Sequence, residues 1–214
     1  MWVKICGWND PAVLQEAMQF AEPDAVGLNF FEKSVRAVTV EQARALCDIL
    51  PPGIAAVGVF VNHSRQQILD AVHEVGLTHV QLHGDEPPEM VVSLDPWPVI
   101  RVYRLKEPSL ASIEDDLQAI KNFGVQPWAC LVDAWHEKEY GGTGQTAPWS
   151  VLRHWPTDWP PLILAGGLTA GNVASAIETV RPFGVDTASG VESVKGRKDP
   201  ELVREFIEAC RACP

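Results

Sequence analysis

Eight short apolar runs recur along this 214-residue chain, and a longer stretch of helix-like pattern follows most of them. The runs are Trp2 to Cys6, Ala25 to Phe30, Ala55 to Val61, His79 to Leu82, Val99 to Tyr103, Trp128 to Asp133, Leu162 to Ala165 and Val185 to Ala188. Most are continuous rather than alternating, which suits parallel strands buried on both faces. Between them, Asp10-Pro11 offers an N-cap followed by proline at the first helical position. Thr39 with Gln42, and Ser64 with Gln67, have capping-box spacing. Pro87, Pro148 and Asp199-Pro200 open further helices, whereas Ser109 to Asn122 is less clearly patterned. Strand–helix alternation of this kind predicts an α/β fold, a closed (β/α)₈ barrel in one domain over residues 1–214. An open doubly wound sheet is the runner-up. It would normally carry a nucleotide loop after an early strand, and no G-x-G-x-x-G or Walker pattern occurs.

Composition narrows the function. A 46% hydrophobic, 21% charged chain has enough apolar material for a packed core. A formal net charge of −11 disfavours nucleic acid and anionic membrane as partners. An anionic small molecule would need local cations or backbone amides. The opening residues lack the apolar core of a secretion signal, and no run approaches a membrane span. The five cysteines, Cys6, Cys47, Cys130, Cys210 and Cys213, are odd in number and sit mostly in apolar stretches. A reducing cytoplasm without a disulfide framework is expected. Cys210 and Cys213 form a C-x-x-C with no second ligand pair nearby, so a helix end is expected there and no metal.

In such a barrel the chemistry gathers where the strands end. Those positions read Cys6-Gly7, Asn29 to Arg36, Asn62, His83-Gly84, Asp133, then "YGGTG", "AGG" and "ASG". Gly166 and Gly167 follow the seventh apolar run, and Ser189 and Gly190 follow the eighth. Those are the loops in which barrels often hold phosphate, because glycines let backbone N–H groups approach an oxyanion. The glycine-rich "EYGGTGQT", with Gly142 and Gly144, reads as a lid that touches substrate. His83 reads as a hydrogen-bonded residue shaping the pocket.

The stretches "KICG", "AVGLNFFEKSVR", "VGVFVN", "VQLHGDE", "LVDA", "YGGTGQTAPW", "LAGGLTAGNV" and "GVDTASGVE" occur in that order over nearly the whole length. On these motifs the chain resembles the phosphoribosylanthranilate isomerase family of tryptophan biosynthesis. The resemblance implies an Amadori rearrangement of N-(5-phosphoribosyl)anthranilate to a 1-deoxyribulose product, with neither metal nor cofactor. It implies that Cys6 is the general base and Asp133 the general acid, and that Arg36 holds the anthranilate carboxylate. A homodimer or a contact with another tryptophan-pathway enzyme stays open at this level.

The chemistry needs these residue types. Opening a furanose ring requires a proton on its oxygen, which a buried carboxyl group can supply. The Schiff base that results must lose its C2′ proton, and a thiol titrates closer to neutrality than a carboxylate. Lys4, two residues before Cys6, shares its strand face and is a cation that could lower the thiol pKa. Trp8, Asn29, Ala37, Pro148 and Ala188 depart from the family's usual residues, as expected of altered pocket walls and one lost phosphate hydroxyl. Two other readings remain: a sister aldose–ketose isomerase acting on another phosphorylated sugar amine, and a non-catalytic barrel that binds a phosphoribosyl ligand.

Overall fold

A computed structural model describes residues 1–105, 109–134 and 149–213. Eight parallel strands close into a barrel: β1 (Trp2–Cys6), β2 (Ala25–Asn29), β3 (Ala55–Phe60), β4 (His79–Leu82), β5 (Val99–Leu105), β6 (Ala129–Ala134), β7 (Leu162–Leu164) and β8 (Gly184–Thr187). Neighbours in the barrel are neighbours in the chain, and β8 pairs back onto β1. Helices α1 (Pro11–Phe20), α2 (Val40–Cys47), α3 (Arg65–Val75), α4 (Pro88–Ser93), α5 (Ala111–Lys121), α6 (Trp149–Leu152), α7 (Val173–Val180) and α8 (Pro200–Arg211) alternate with the strands. A short antiparallel hairpin, β9 (Glu192–Val194) and β10 (Arg197–Lys198), lies between β8 and α8.

The continuous apolar runs are explained by two separate cores. Successive side chains on a strand point to opposite faces. Outward residues such as Val3, Ile5, Val26, Leu28, Val80, Leu82, Val132 and Val185 join the helices in the larger core. Inward residues Ala25, Val57, Ile100, Val102, Ala129, Leu131, Ile163 and Ala165 fill the barrel's interior. Both faces therefore select apolar residues, and any polar residue on the inward face stands out. Lys4, Cys6, Gln81, Asp133 and Asp186 share the parity of those inward positions.

The helix starts follow the capping chemistry. Thr39 Oγ1 accepts from Gln42 N at 3.2 Å while Gln42 Oε1 accepts from Thr39 N at 2.9 Å, and Ser64 with Gln67 repeats the arrangement. The Asp10 carboxylate accepts from Ala12 N and Val13 N. Asp199 caps α8 in the same way.

Some boundaries differ from the sequence expectation. β5 runs two residues further, to Leu105, and β8 spans Gly184–Thr187 because Ala188 leaves the extended conformation at φ −125°, ψ −71°. Helix α7 had no recognised start signal, since the side chain of Asn172 is spent elsewhere. Its Oδ1 accepts from Thr169 N and its Nδ2 donates to Gly167 O. The β9–β10 hairpin was not foreseen either. Cys210 is buried on α8 and Cys213 Sγ donates to Ala209 O, so the C-x-x-C is a helix end, and all five cysteines are free. Among the described residues no helix is long and apolar enough to cross a membrane.

Candidate active site

The barrel's closure brings its first and last strands into register, with Lys4 opposite Asp186. Their side chains meet inside the barrel, Lys4 Nζ to Asp186 Oδ1 at 2.9 Å, with the lysine fully buried. Burial works against the ammonium, but Asp186 and Cys6 outweigh it and raise the pKa of Lys4 above the usual lysine value. Lys4 also acts electrostatically on the thiol of Cys6, the last residue of β1. Room for this comes from Gly27, which is opposite Cys6 in register. A Cβ at Gly27 would lie 2.7 Å from Cys6 Sγ and 3.0 Å from Lys4 Nζ.

Lys4 does pull the Cys6 pKa down, as its place on the strand face suggested, but other influences outweigh it. Burial pushes the thiol pKa up, Lys4 pulls it down, Asp186 pushes it up again, and Lys198 pulls it down. The balance is upward from an ordinary cysteine. The Lys4 charge is largely answered by Asp186, so at neutral pH the resting group is the thiol.

Asp133 lies near the end of β6 and is buried. His83, the first residue beyond β4, faces it with Nε2 3.8 Å from Asp133 Oδ2. The other ring nitrogen, Nδ1, is 3.0 Å from Gln81 Nε2. With the amide donating to Nδ1, hydrogen-bond geometry assigns the ring proton to Nε2, the nitrogen directed at Asp133. Burial, with the nearby charges of Lys4 and Arg104, holds the pKa of His83 down at about 3, so the ring is neutral. His83 thus has one ring nitrogen bonded and the other, among the described residues, short of hydrogen-bond distance.

Arg36 is carried by the loop after β2. Asn29 builds that loop: its Oδ1 accepts from Phe31 N at 2.9 Å and its Nδ2 donates to Ser34 Oγ at 3.2 Å. Ser34 Oγ in turn accepts from Arg36 N at 3.1 Å. The arginine stem crosses Gly7, whose φ of +83° suits glycine and whose missing side chain leaves space for the Arg36 methylenes. At its far end, Arg36 Nε and Nη2 grip Glu192 Oε1 and Oε2 at 2.6 and 2.8 Å. Glu192 also accepts from Lys198 Nζ at 2.8 Å and Gly196 N at 3.0 Å. Burial opposes the Glu192 carboxylate, but these donors prevail and hold its pKa at about 2. One edge of the Arg36 fork is therefore committed to the protein.

The late glycines occupy the loops after β7 and β8. Gly166 and Gly167 have φ of +89° and +63°, conformations other residues rarely adopt. Gly190 packs so closely on the Leu168 carbonyl that a side chain there would collide with it, and Thr187 Oγ1 donates to the same oxygen at 2.7 Å. Ser189 begins a turn of 3₁₀ helix through Val191. The two loops are thus locked together. Gly142, Gly144, Pro148 and the rest of the lid sequence lie outside the described residues.

Two residues expected to alter the pocket walls do something else. Trp8 is fully buried in the large core, and Asn29 shapes the Arg36 loop. Ala37 pairs with Asn29 in an isolated bridge, and the Ala188 carbonyl accepts from Lys198. Sequence reasoning missed Asp186, Glu192 and Lys198. A lone aspartate within the apolar "GVDTA" was a usable signal for the first. "SVKGRKDP" reads as exposed polar loop, and nothing in it marks Lys198 as 3% exposed.

Known proteins place this arrangement. The family described as N-(5′-phosphoribosyl)anthranilate (PRA) isomerase matches residues 3–209. The N-(5′-phosphoribosyl)anthranilate isomerase of Geobacter sulfurreducens is 43% identical over 211 residues, covering 98% of each chain. The crystal structure of phosphoribosyl anthranilate isomerase from Thermotoga maritima superposes with a TM-score of 0.84 at 35% identity over 98% of each chain. A phosphoribosyl anthranilate isomerase in complex with reduced 1-(o-carboxyphenylamino)-1-deoxyribulose 5-phosphate gives 0.81 at 34% identity, over 98% of this chain and 97% of that one. Full-length agreement in sequence and barrel means that the chain belongs to the N-(5′-phosphoribosyl)anthranilate isomerase family.

Proposed function

We propose that the chain, one barrel domain from end to end, converts N-(5′-phosphoribosyl)anthranilate to 1-(2-carboxyphenylamino)-1-deoxyribulose 5-phosphate, with Cys6 and Asp133 dividing the proton transfers. Asp133 gives a proton to the furanose ring oxygen, the C1′–O bond breaks, and the nitrogen lone pair forms the Schiff base. Cys6, as thiolate, then takes the proton from C2′. The C–H electrons form the C1′–C2′ double bond of an enolamine, which ketonises to product. Oxidant and reductant are not needed, because C1′ is reduced as C2′ is oxidised.

The observation that carries this reading is the pair of buried groups at the barrel's mouth, each with a partner suited to its task. Cys6 has the Lys4 ammonium against it, which favours the thiolate once it forms. Asp133 has the Nε2 side of a neutral His83 near it, a donor for the carboxylate left after its proton is spent. Arg36 holds the anthranilate carboxylate. Gly166, Gly167, Ser189 and Gly190 receive the phosphate through backbone N–H groups, and Gly142 and Gly144 cover the substrate. Five free cysteines suit the reducing cytoplasm.

Turnover of phosphoribosylanthranilate across pH tests the reading. One group must be deprotonated and the other protonated, so kcat/KM should follow a bell. A profile flat through the whole range would contradict the division of labour.

A further inference from the structure

We infer that Lys198 is a positioning residue that keeps positive charge available at Arg36, and so sets the preference of this site for a substrate bearing a ring carboxylate. The inference rests on the reading of Arg36 as the carboxylate's partner.

Arg36 by itself could not do that work well. Its Nε–Nη2 edge is bound in a two-point pair to Glu192, at 2.6 and 2.8 Å. Such a pair is neutral overall, and a neutral pair draws a carboxylate only weakly. Lys198 changes the sum. Its Nζ lies 2.8 Å from Glu192 Oε1 and 2.9 Å from the Ala188 carbonyl, with the residue 3% exposed. Among the described residues, two cations now share one anion, and that trio carries a net charge of +1 beside the site. The side chain of Glu192 is 2% exposed, so water screens this charge poorly. Attraction of this kind is needed, because a ligand with both a phosphate and a carboxylate approaches a chain of formal net charge −11.

Lys198 lies within electrostatic reach of Cys6 as well as Arg36. Burial and the Arg36 charge draw its own pKa below the usual lysine value, while Glu192 and Cys6 oppose them. The same ammonium therefore works on the binding end and the proton-transfer end of the site. Its hydrogen bond to Ala188 also ties the hairpin to the loop that carries Ser189 and Gly190, so a purely structural role is the competing explanation.

The experiment measures the binding of two ligands by titration calorimetry. One is the reduced product, with its ring carboxylate, and the other is the same molecule with an unsubstituted phenyl ring. The proteins are wild type, R36M, K198M and K198Q. Wild type should prefer the carboxylate ligand, R36M should lose that preference, and each Lys198 variant should reduce it on the order of tenfold. K198Q retains a hydrogen-bond donor without the charge, and it decides the matter alone if K198M does not fold. Equal weakening of both ligands by K198Q, or an unchanged preference, would overturn the inference and leave Lys198 a loop tether. A wild type without preference, or an R36M that keeps it, would instead remove the Arg36 reading on which the inference stands.

Discussion

Lys4 and Asp186 are 182 residues apart in sequence and 2.9 Å apart inside the barrel. Closure of β8 onto β1 makes the pair, and it leaves Cys6 with a cation whose charge is already answered. The two partners should therefore affect the thiol with opposite sign. Removing the Lys4 charge in K4M should raise the Cys6 pKa further, and removing the Asp186 charge in D186N should lower it. The pH dependence of Cys6 alkylation, taken as the difference from a C6A background, measures both shifts. Shifts of the same sign would show that the pair does not act through its charges.

Gly27 should tolerate no side chain. A Cβ would lie 2.7 Å from Cys6 Sγ and 3.0 Å from the Cys6 Cα, so Cys6 and Lys4 must move. G27A is expected to cost about 1–3 kcal/mol of stability and to lower kcat more than it raises KM. Chemical denaturation and steady-state kinetics check the two parts. A variant with wild-type kcat would mean that the position of the thiol is not critical.

Glu192 and His83 should make the protein acid-sensitive in two windows. The folded pKa of Glu192, about 2, lies below its unfolded value of 4.5, so its contribution is present above pH 4.5 and fades as pH falls toward 2. The interval corresponds to on the order of 3 kcal/mol. His83 is depressed from 6.5 to about 3, and its share of stability fades between those values as the unfolded chain takes up the proton. E192Q should flatten the lower window and H83N the upper one in urea titrations at stepped pH.

The neutral state of His83 has a direct spectroscopic signature. Its ring ¹⁵N shifts should stay those of an unprotonated imidazole from pH 8 to pH 5, with the proton on Nε2. Titration within that range would place a charge next to Asp133 and require a different account of the acid.

The barrel was legible because parallel strands buried on both faces must be apolar throughout, and the runs starting at Trp2, Ala25, Ala55, His79, Val99 and Leu162 fall on observed strands. Capping signals worked where the side chain serves its own helix, as at Thr39 and Ser64, and were silent at α7, where Asn172 serves the loop before it. The placing of Cys6 and Asp133 at strand ends, and of Arg36 on the loop after β2, was legible in the sequence. The network behind them was not. Whether a lysine at position 198 is solvated or buried depends on the β9–β10 turn and on Arg36, 162 residues earlier, and local pattern carries no information about such pairings. Likewise, Asn29 looked like a wall residue because it departs from the family's usual apolar residue, whereas here the side chain turns back to cap its own loop.

The most direct test of the central claim is the turnover of phosphoribosylanthranilate by C6A and D133N beside wild type, with folding checked by circular dichroism. Each variant removes one of two proton-transfer groups, so each should lose on the order of 10²-fold or more in kcat while keeping the wild-type spectrum. A folded C6A or D133N with near-normal kcat would contradict the assignment of base and acid.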